Sequence, residues 1–328
     1  MKLNGPRVYA RFFGADALSS HTFVNWPLTK ILEDSGVKFT TLLDAEEVWL
    51  FDLDPWFVCS NLARIKARKT TLIVFEPQAV HPLQHSKWLR RIFDRVIVFN
   101  PEMSSEGSRL VLYSSHPSFM DGRIAIPAMR TDLRIAVAAG DKQSASKTSL
   151  YKLRRQSILA LLEMSESVSL AGPGWEKPMP TRIKQALHSM IRTVLAGQKP
   201  RLTSLSLVSF LEKTRQYPRF SFYGWVESEV RFFSQHQIVL VIENDIPFHS
   251  EKIFAAIASG SKVVYVGPSR AWLRSLPQVF FAKPSVKSIV ASVHDAKTSL
   301  SLPVDLERFC AHHSLLDFYM MLTSELKA

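Results

Sequence analysis

The chain is 328 residues long, 46% hydrophobic and 21% charged, a balance that excludes a disordered or fibrous protein and allows two domains with separate cores. Cys59 and Cys310 are the two cysteines, so no disulfide framework is expected and a reducing compartment is the simpler reading. The net charge of +12 calls for an anionic partner: nucleic acid, a membrane surface or a phosphorylated small molecule.

The opening segment MKLNGPRVYARFFGAD is cut by Gly5 and Pro6 before any long apolar run, which does not read as a signal peptide. No apolar stretch approaches the roughly 18 residues of a membrane span, so a cytoplasmic location is expected. RVYARFF is the first strand, TFVNWPLTKILEDSG a helix ending at Gly36, and EEVWLFDLD a second strand. KTTLIVFEP follows as a strand, PLQHSKWLRRIFD as a helix, and RVIVFN as a strand. This β–α alternation predicts a parallel sheet with helices on its faces.

From Ala136 to Thr148 the sequence turns small and polar, and a domain boundary is expected there, giving domains 1–145 and 146–328. Beyond it, LYKLRRQSILALLEM is a helix, SVSLAGPGW a strand running into a Gly/Pro turn, QIVLVIEN and KVVYVG two strands, and LERFCAHHSLLDFYMMLTSEL a terminal amphipathic helix. Between these lies a basic segment, 177–219, holding nine Lys/Arg against the single acid Glu212. It reads as a helical insertion, either simply solvated or meeting anionic lipid or a charged acceptor.

The most informative stretch is VIENDIPFHSEKIFAAIASGSKVVYVGPS, 241–269. A strand ends in Glu243 and Asn244, Ser250 is a good N-cap, Glu251 suits a first helical turn, and Gly260 suits a left-handed C-terminal cap. Ligands of open α/β sheets bind outside the carboxyl ends of strands. A helix N-terminus there, with Lys252 added, suits a diphosphate, and Glu251 could accept two sugar hydroxyls. The bland alternative is a surface Glu–Lys pair on an ordinary crossover helix. Elsewhere, Asp52 and Asp54 in FDLDP have metal-ligand spacing but fit a strand end before a proline turn better. Gly172 and Gly174 form a turn in which Pro173 removes a donor, and His312 and His313 read as surface residues of the terminal helix.

Three segments, in order, resemble glycosyltransferase family 10, the alpha-1,3-fucosyltransferases. LIVFEPQAVHP with FDRVIVFN is similar to the family's amino-terminal W-E-P-P and F-D-x-V segments. LYKLRRQSILALL with SVSLAGPGW resembles its Arg-bearing helix and following strand. YGWVESEVRFFSQHQIVLVIENDIPFHSEKIFAAIASGSKVVYVG resembles its donor-binding segment, with Glu243, Asn244, Glu251, Lys252, Gly260, Tyr265 and Gly267 at matching places. Phe248 stands for the family's Tyr, His249-Ser250 for its Val/Ile-Thr, and Val263 for its Pro, which leaves the donor sugar open.

The resemblance implies a GT-B-type α/β fold, two Rossmann-like domains facing a central cleft. The amino-terminal domain would bind the acceptor and the carboxyl-terminal domain the nucleotide sugar. It implies an inverting, metal-independent transfer of L-fucose from GDP-fucose to a hydroxyl of a glycan or lipid-linked glycan, with no cofactor. Glu251 would hold the ribose, Lys252 and Arg154 or Arg155 the diphosphate, with Glu243, Asn244, Phe248 and Ser250 completing the donor site. Glu76, at a strand end, would be the general base, and His81 an acceptor contact or the alternative base. The reading from another class is a non-catalytic protein of the same fold that binds an anionic glycan or membrane lipid through its basic face. Nucleic-acid binding would rest on charge alone.

Overall fold

A computed structural model describes residues 6–12, 15–16, 18, 27–98, 108–110, 132–201, 210–246, 248–300 and 315–327. The alternation of short apolar runs with amphipathic segments produces two parallel sheets, one in each of two compact units. Residues 1–113, 192–199 and 316–328 make the first unit, and residues 114–191 and 200–315 the second.

The first unit contains β1 (Arg7–Phe12), β2 (Ala15–Asp16), α1 (Pro27–Asp34), β3 (Lys38–Phe39), β4 (Glu47–Phe51), α2 (Pro55–Lys66), β5 (Lys69–Val74), α3 (Lys87–Arg90), β6 (Arg95–Val98) and β7 (Ser108–Leu110). Its seven-stranded sheet runs β2-β1-β4-β5-β6-β7, with β3 also on β1. All described pairs but β1–β2 are parallel. Val48, Trp49, Leu50 and Phe51 are all buried, as expected for a sheet covered on both faces. The helix expected over 82–94 is broken. Pro82–His85 is a 3-10 turn, Ser86 is extended (φ −76°, ψ 126°), and only Lys87–Arg90 is α-helical. The cause is local: the Gln84 and His85 side chains turn back to bind the Glu76 carbonyl.

The second unit contains β8 (Asp132–Ala138), α4 (Tyr151–Glu163), β9 (Val168–Ala171), α5 (Met179–Leu195, whose last turn from Arg192 belongs to the first unit), α6 (Phe210–Thr214), β10 (Phe220–Phe222), α7 (Glu229–Ser234), β11 (His236–Ile242), α8 (Glu251–Ala258), β12 (Lys262–Val266), α9 (Ala271–Arg274), β13 (Val279–Phe281) and α10 (Val286–Thr298). The sheet order is β10-β9-β8-β11-β12-β13, and its paired strands are parallel. Numbered along the chain within this sheet, the order is the 3-2-1-4-5-6 of a dinucleotide-binding Rossmann fold. Ile135, Val137, Leu170, Leu240, Ile242 and Val264 form the middle of its core.

Three expectations about domains are revised. β8 is a central strand of the second sheet, so the division falls at 113/114 and not at 145/146. The terminal helix α11 (Leu315–Lys327) packs in the first unit, where Arg95 donates to the carbonyls of Glu325 (2.7 Å) and Leu326 (2.8 Å). The basic segment is no insertion: it is the crossover that carries the chain from β9 to β10. His312 and His313 lie outside the described residues. Among the described residues no helix is long and apolar enough to cross a membrane.

Candidate functional site

The strand order of the second sheet reverses at β8 and β11, so crossover chains leave their carboxyl ends in opposite directions and open a crevice there. The turn after β9 lets the neighbouring chain reach this point closely. Gly172 has φ +120°, and a Cβ on it would meet the Ala139 carbonyl oxygen at 2.3 Å. Trp175 Nε1 donates to that same oxygen (2.6 Å). The glycines of AGPGW therefore serve backbone approach.

Arg154, on α4, reaches the reversal point from below. Its guanidinium is buried and donates to the carbonyls of Gly140 (3.2 Å) and Ile242 and to Asn244 Oδ1 (3.2 Å). The Tyr151 ring lies 5.4 Å from its Cζ. Arg154 thus ties the ends of β8 and β11 together, and burial depresses its pKa. Arg155 is half-buried and ion-paired with Asp141, which also accepts from Arg182 (2.8 Å). The two adjacent arginines are therefore distinguished: Arg154 is a clamp under the strand ends, and Arg155 shares a buried carboxylate with a second cation.

The loop from β11 to α8 is held by Glu243. Its buried Oε1 accepts from Ser250 N (3.0 Å) and Tyr265 OH (3.2 Å), and burial raises its carboxyl pKa to about 7. A Cβ at Gly267 would sit 2.3 Å from the Tyr265 hydroxyl and 2.7 Å from Glu243 Cγ, so glycine is required there. Phe248 and His249 are buried. Ser250 caps α8, its hydroxyl accepting from Lys252 N (3.4 Å), and Gly260 closes the helix at φ +69°.

Lys252 Nζ donates to Glu251 Oε1 (2.8 Å) and to Glu229 Oε1 (2.9 Å), the latter from α7. Burial alone would lower the Lys252 pKa, but the two carboxylates outweigh it and hold the ammonium above its ordinary range. Glu251 and Lys252 therefore converge on one another, although adjacent helical residues set out about 100° apart. Glu229 is the partner that sequence reasoning missed. It lies in the quoted VESEVRFF segment, and its spacing to Lys252 carries no helical signal.

In the first unit, Glu76 follows the end of β5. Its carbonyl accepts from Gln84 Nε2 (2.7 Å) and His85 Nε2 (2.9 Å), and its N–H donates to Asp52 Oδ1 (3.0 Å). Asp52, at the end of β4, has φ +60° and also accepts from Phe75 N (2.8 Å). A left-handed backbone is uncommon outside glycine, asparagine and aspartate. Burial, then the nearby Glu76 charge, raises the Asp52 pKa to about 7. Burial lowers that of His85 to about 3, so this imidazole is neutral. Asp54 caps α2 through Phe57 N (3.1 Å) and pairs with Arg11 (2.6 Å), so Asp52 and Asp54 have separate structural partners. His81 lies on the same loop, its N–H bonded to the Pro77 carbonyl (2.9 Å).

Two parallel sheets, the second in Rossmann order, define the GT-B fold class of glycosyltransferases, here as two Rossmann-like units. Solved structures agree. Sucrose-phosphate synthase from Thermosynechococcus elongatus superposes with a TM-score of 0.52 at 13% identity, covering 98% of this chain and 95% of that one. The Anabaena protein HepE, solved with UDP and glucose, gives 0.52 at 10% identity, over 92% of this chain and 81% of that one. A glycosyltransferase from Rickettsia africae gives 0.50 at 8% identity, over 94% and 82%. No family model and no curated protein matches the sequence.

Proposed function

We propose that the chain transfers a sugar from a nucleoside diphosphate donor to an acceptor hydroxyl. The observation that carries this reading is the Glu251–Lys252–Glu229 cluster at the N-terminus of α8, beside the strand-order reversal of a Rossmann sheet. A diphosphate arriving there would take Lys252 at the positive end of the helix dipole, releasing Glu251 to the ribose hydroxyls. Glu229 would keep the ammonium in place during the exchange. Arg155, at the rim, is the better candidate for a second phosphate contact, because Arg154 is consumed by carbonyls. Glu243, Asn244 and Ser250 shape the loop, and Phe248 packs beneath it.

On this reading the acceptor domain is the first unit and Glu76 the general base, in a direct displacement that inverts the anomeric carbon without a metal. Asp52 and Gln84 fix the Glu76 backbone, so the carboxylate is presented from an immobilised turn. His81 is a neighbouring acceptor contact. The motif resemblance favours GDP-fucose as donor and a glycan or lipid-linked glycan as acceptor. UDP is the second reading, favoured by its presence in the HepE structure. A melting series with GDP, UDP and CMP tests both. A ligand at about 100 times its dissociation constant stabilises by roughly 2.7 kcal/mol. The largest shift is expected with GDP. A larger shift with UDP would replace the donor, and none with any nucleotide would overturn the donor site. Transfer in excess chelator tests metal independence.

A further inference from the structure

Helix α5 is turned with its apolar side outward. Its inward side is small or polar: Arg182 meets Asp141 at 2.8 Å, Ser189 Oγ accepts from Ala145 N at 2.8 Å, and Ala186 and Thr193 are buried. Its outward side carries Ile183, Leu187, Ile191, Val194 and Leu195, exposed by 45%, 53%, 48%, 56% and 58%. Steps of three and four residues put these side chains on one face. Single exposed apolar residues are ordinary, whereas a continuous stripe asks for a partner.

Charge selects the partner. Lys184, His188 and Arg192 each follow a stripe residue by one position, which places them about 100° round the helix, along one flank. From Lys177 to Leu211 the sequence has no acidic residue. A second copy docked on the stripe would bring two such basic rows together with no carboxylate between them. At the helix end, the exposed Trp88 donates from Nε1 to the Leu195 carbonyl (3.3 Å), adding an indole of the kind that suits a membrane–water boundary.

We propose that this face of α5 lies on an anionic lipid bilayer. The stripe would enter the acyl boundary while Lys184 and Arg192 reach up to headgroup phosphates. The inference stands apart from sugar transfer, since it uses none of the donor-site residues.

Sedimentation of the full chain with extruded vesicles tests it, comparing phosphatidylcholine alone with a phosphatidylcholine–phosphatidylglycerol mixture. Binding is expected on the mixed vesicles and at least about tenfold weaker on neutral ones. Leu187→Glu with Ile191→Glu should lower binding more than about tenfold. Lys184→Gln with Arg192→Gln should lower it roughly 25-fold, about fivefold for each charge held near the surface. Both pairs replace half-exposed side chains, and circular dichroism melts check that the fold survives. If the apolar pair unfolds, the charge pair still decides. The proposal is overturned if the wild type stays off mixed vesicles, or if folded variants bind like the wild type. It is also overturned if light scattering finds a dimer that the apolar substitutions dissolve.

Discussion

The two sheets solve the placement of polar groups differently. In the first, the strand order turns back once, at β1, which has β3 on one side and β4-β5-β6-β7 running onward on the other. Its polar chemistry is gathered by a tight turn, where Asp52 at φ +60° holds two N–H groups of the β5 exit. In the second, the reversal at β8 and β11 creates the crevice, and a buried guanidinium closes its floor. One unit presents a carboxylate from a fixed loop; the other presents a helix start over an arginine clamp. Both sheets carry a reversal, and the difference lies in what holds the polar groups beside it.

Substitutions on the two sides separate these roles. The largest effect is expected for Glu76→Gln, which should reduce turnover by roughly 100- to 10,000-fold while GDP affinity stays the same. Lys252→Ala should weaken GDP binding as well as turnover, by about tenfold or more, since it removes a charge that meets the diphosphate. Kinetics paired with calorimetric titration distinguish the two. Near-normal turnover in folded Glu76→Gln would reduce Glu76 to a strand-end residue, with His81 next to test.

The arginines give a smaller, thermodynamic contrast. Arg154→Met strands the Gly140 and Ile242 carbonyls and should cost about 3 kcal/mol in urea unfolding. Arg155→Ala leaves Asp141 paired with Arg182 and should cost about 1 kcal/mol, while weakening GDP about tenfold. Equal stability losses would erase the distinction.

A last contrast concerns pH. Glu243 and Asp52 both titrate near about 7 in the folded chain, above their ordinary values. A raised carboxyl pKa means that the folded state keeps a proton the unfolded state loses. Stability should therefore fall as pH rises from about 4 to about 7, by about 1.4 kcal/mol per unit for each group, and level off above. Glu243→Gln should flatten this slope in the second unit and Asp52→Asn in the first. Unfolding by urea at several pH values reads both, and an unchanged slope would mean that neither group holds its proton.

Much of the second unit was legible. The β11–α8–β12 segment was read down to its Ser250 cap and Gly260 terminus, because capping chemistry and glycine geometry are local. β8 was not recognised as a strand, since the alanines and small polar residues that let its end pack against Gly172 and Trp175 look like a linker. Arg154 and Arg155 were indistinguishable as letters. Only the position of each on α4, inward or at the rim, separates a clamp from a rim cation. Asp52 carries no sequence mark of its left-handed backbone, and the helical spacing over 82–94 was broken by side chains that bind a loop. The residues of α5 that carry its charge were visible, but the outward turn of its apolar face was not.

The return of the last helix has a consequence for synthesis. Arg95 must wait for Glu325, 230 residues further along the chain, before its guanidinium finds the carbonyls it binds. By then the ribosome has released every strand of both sheets. The first unit is thus begun before the second and completed after it, and until α11 arrives that docking surface is available to chaperones.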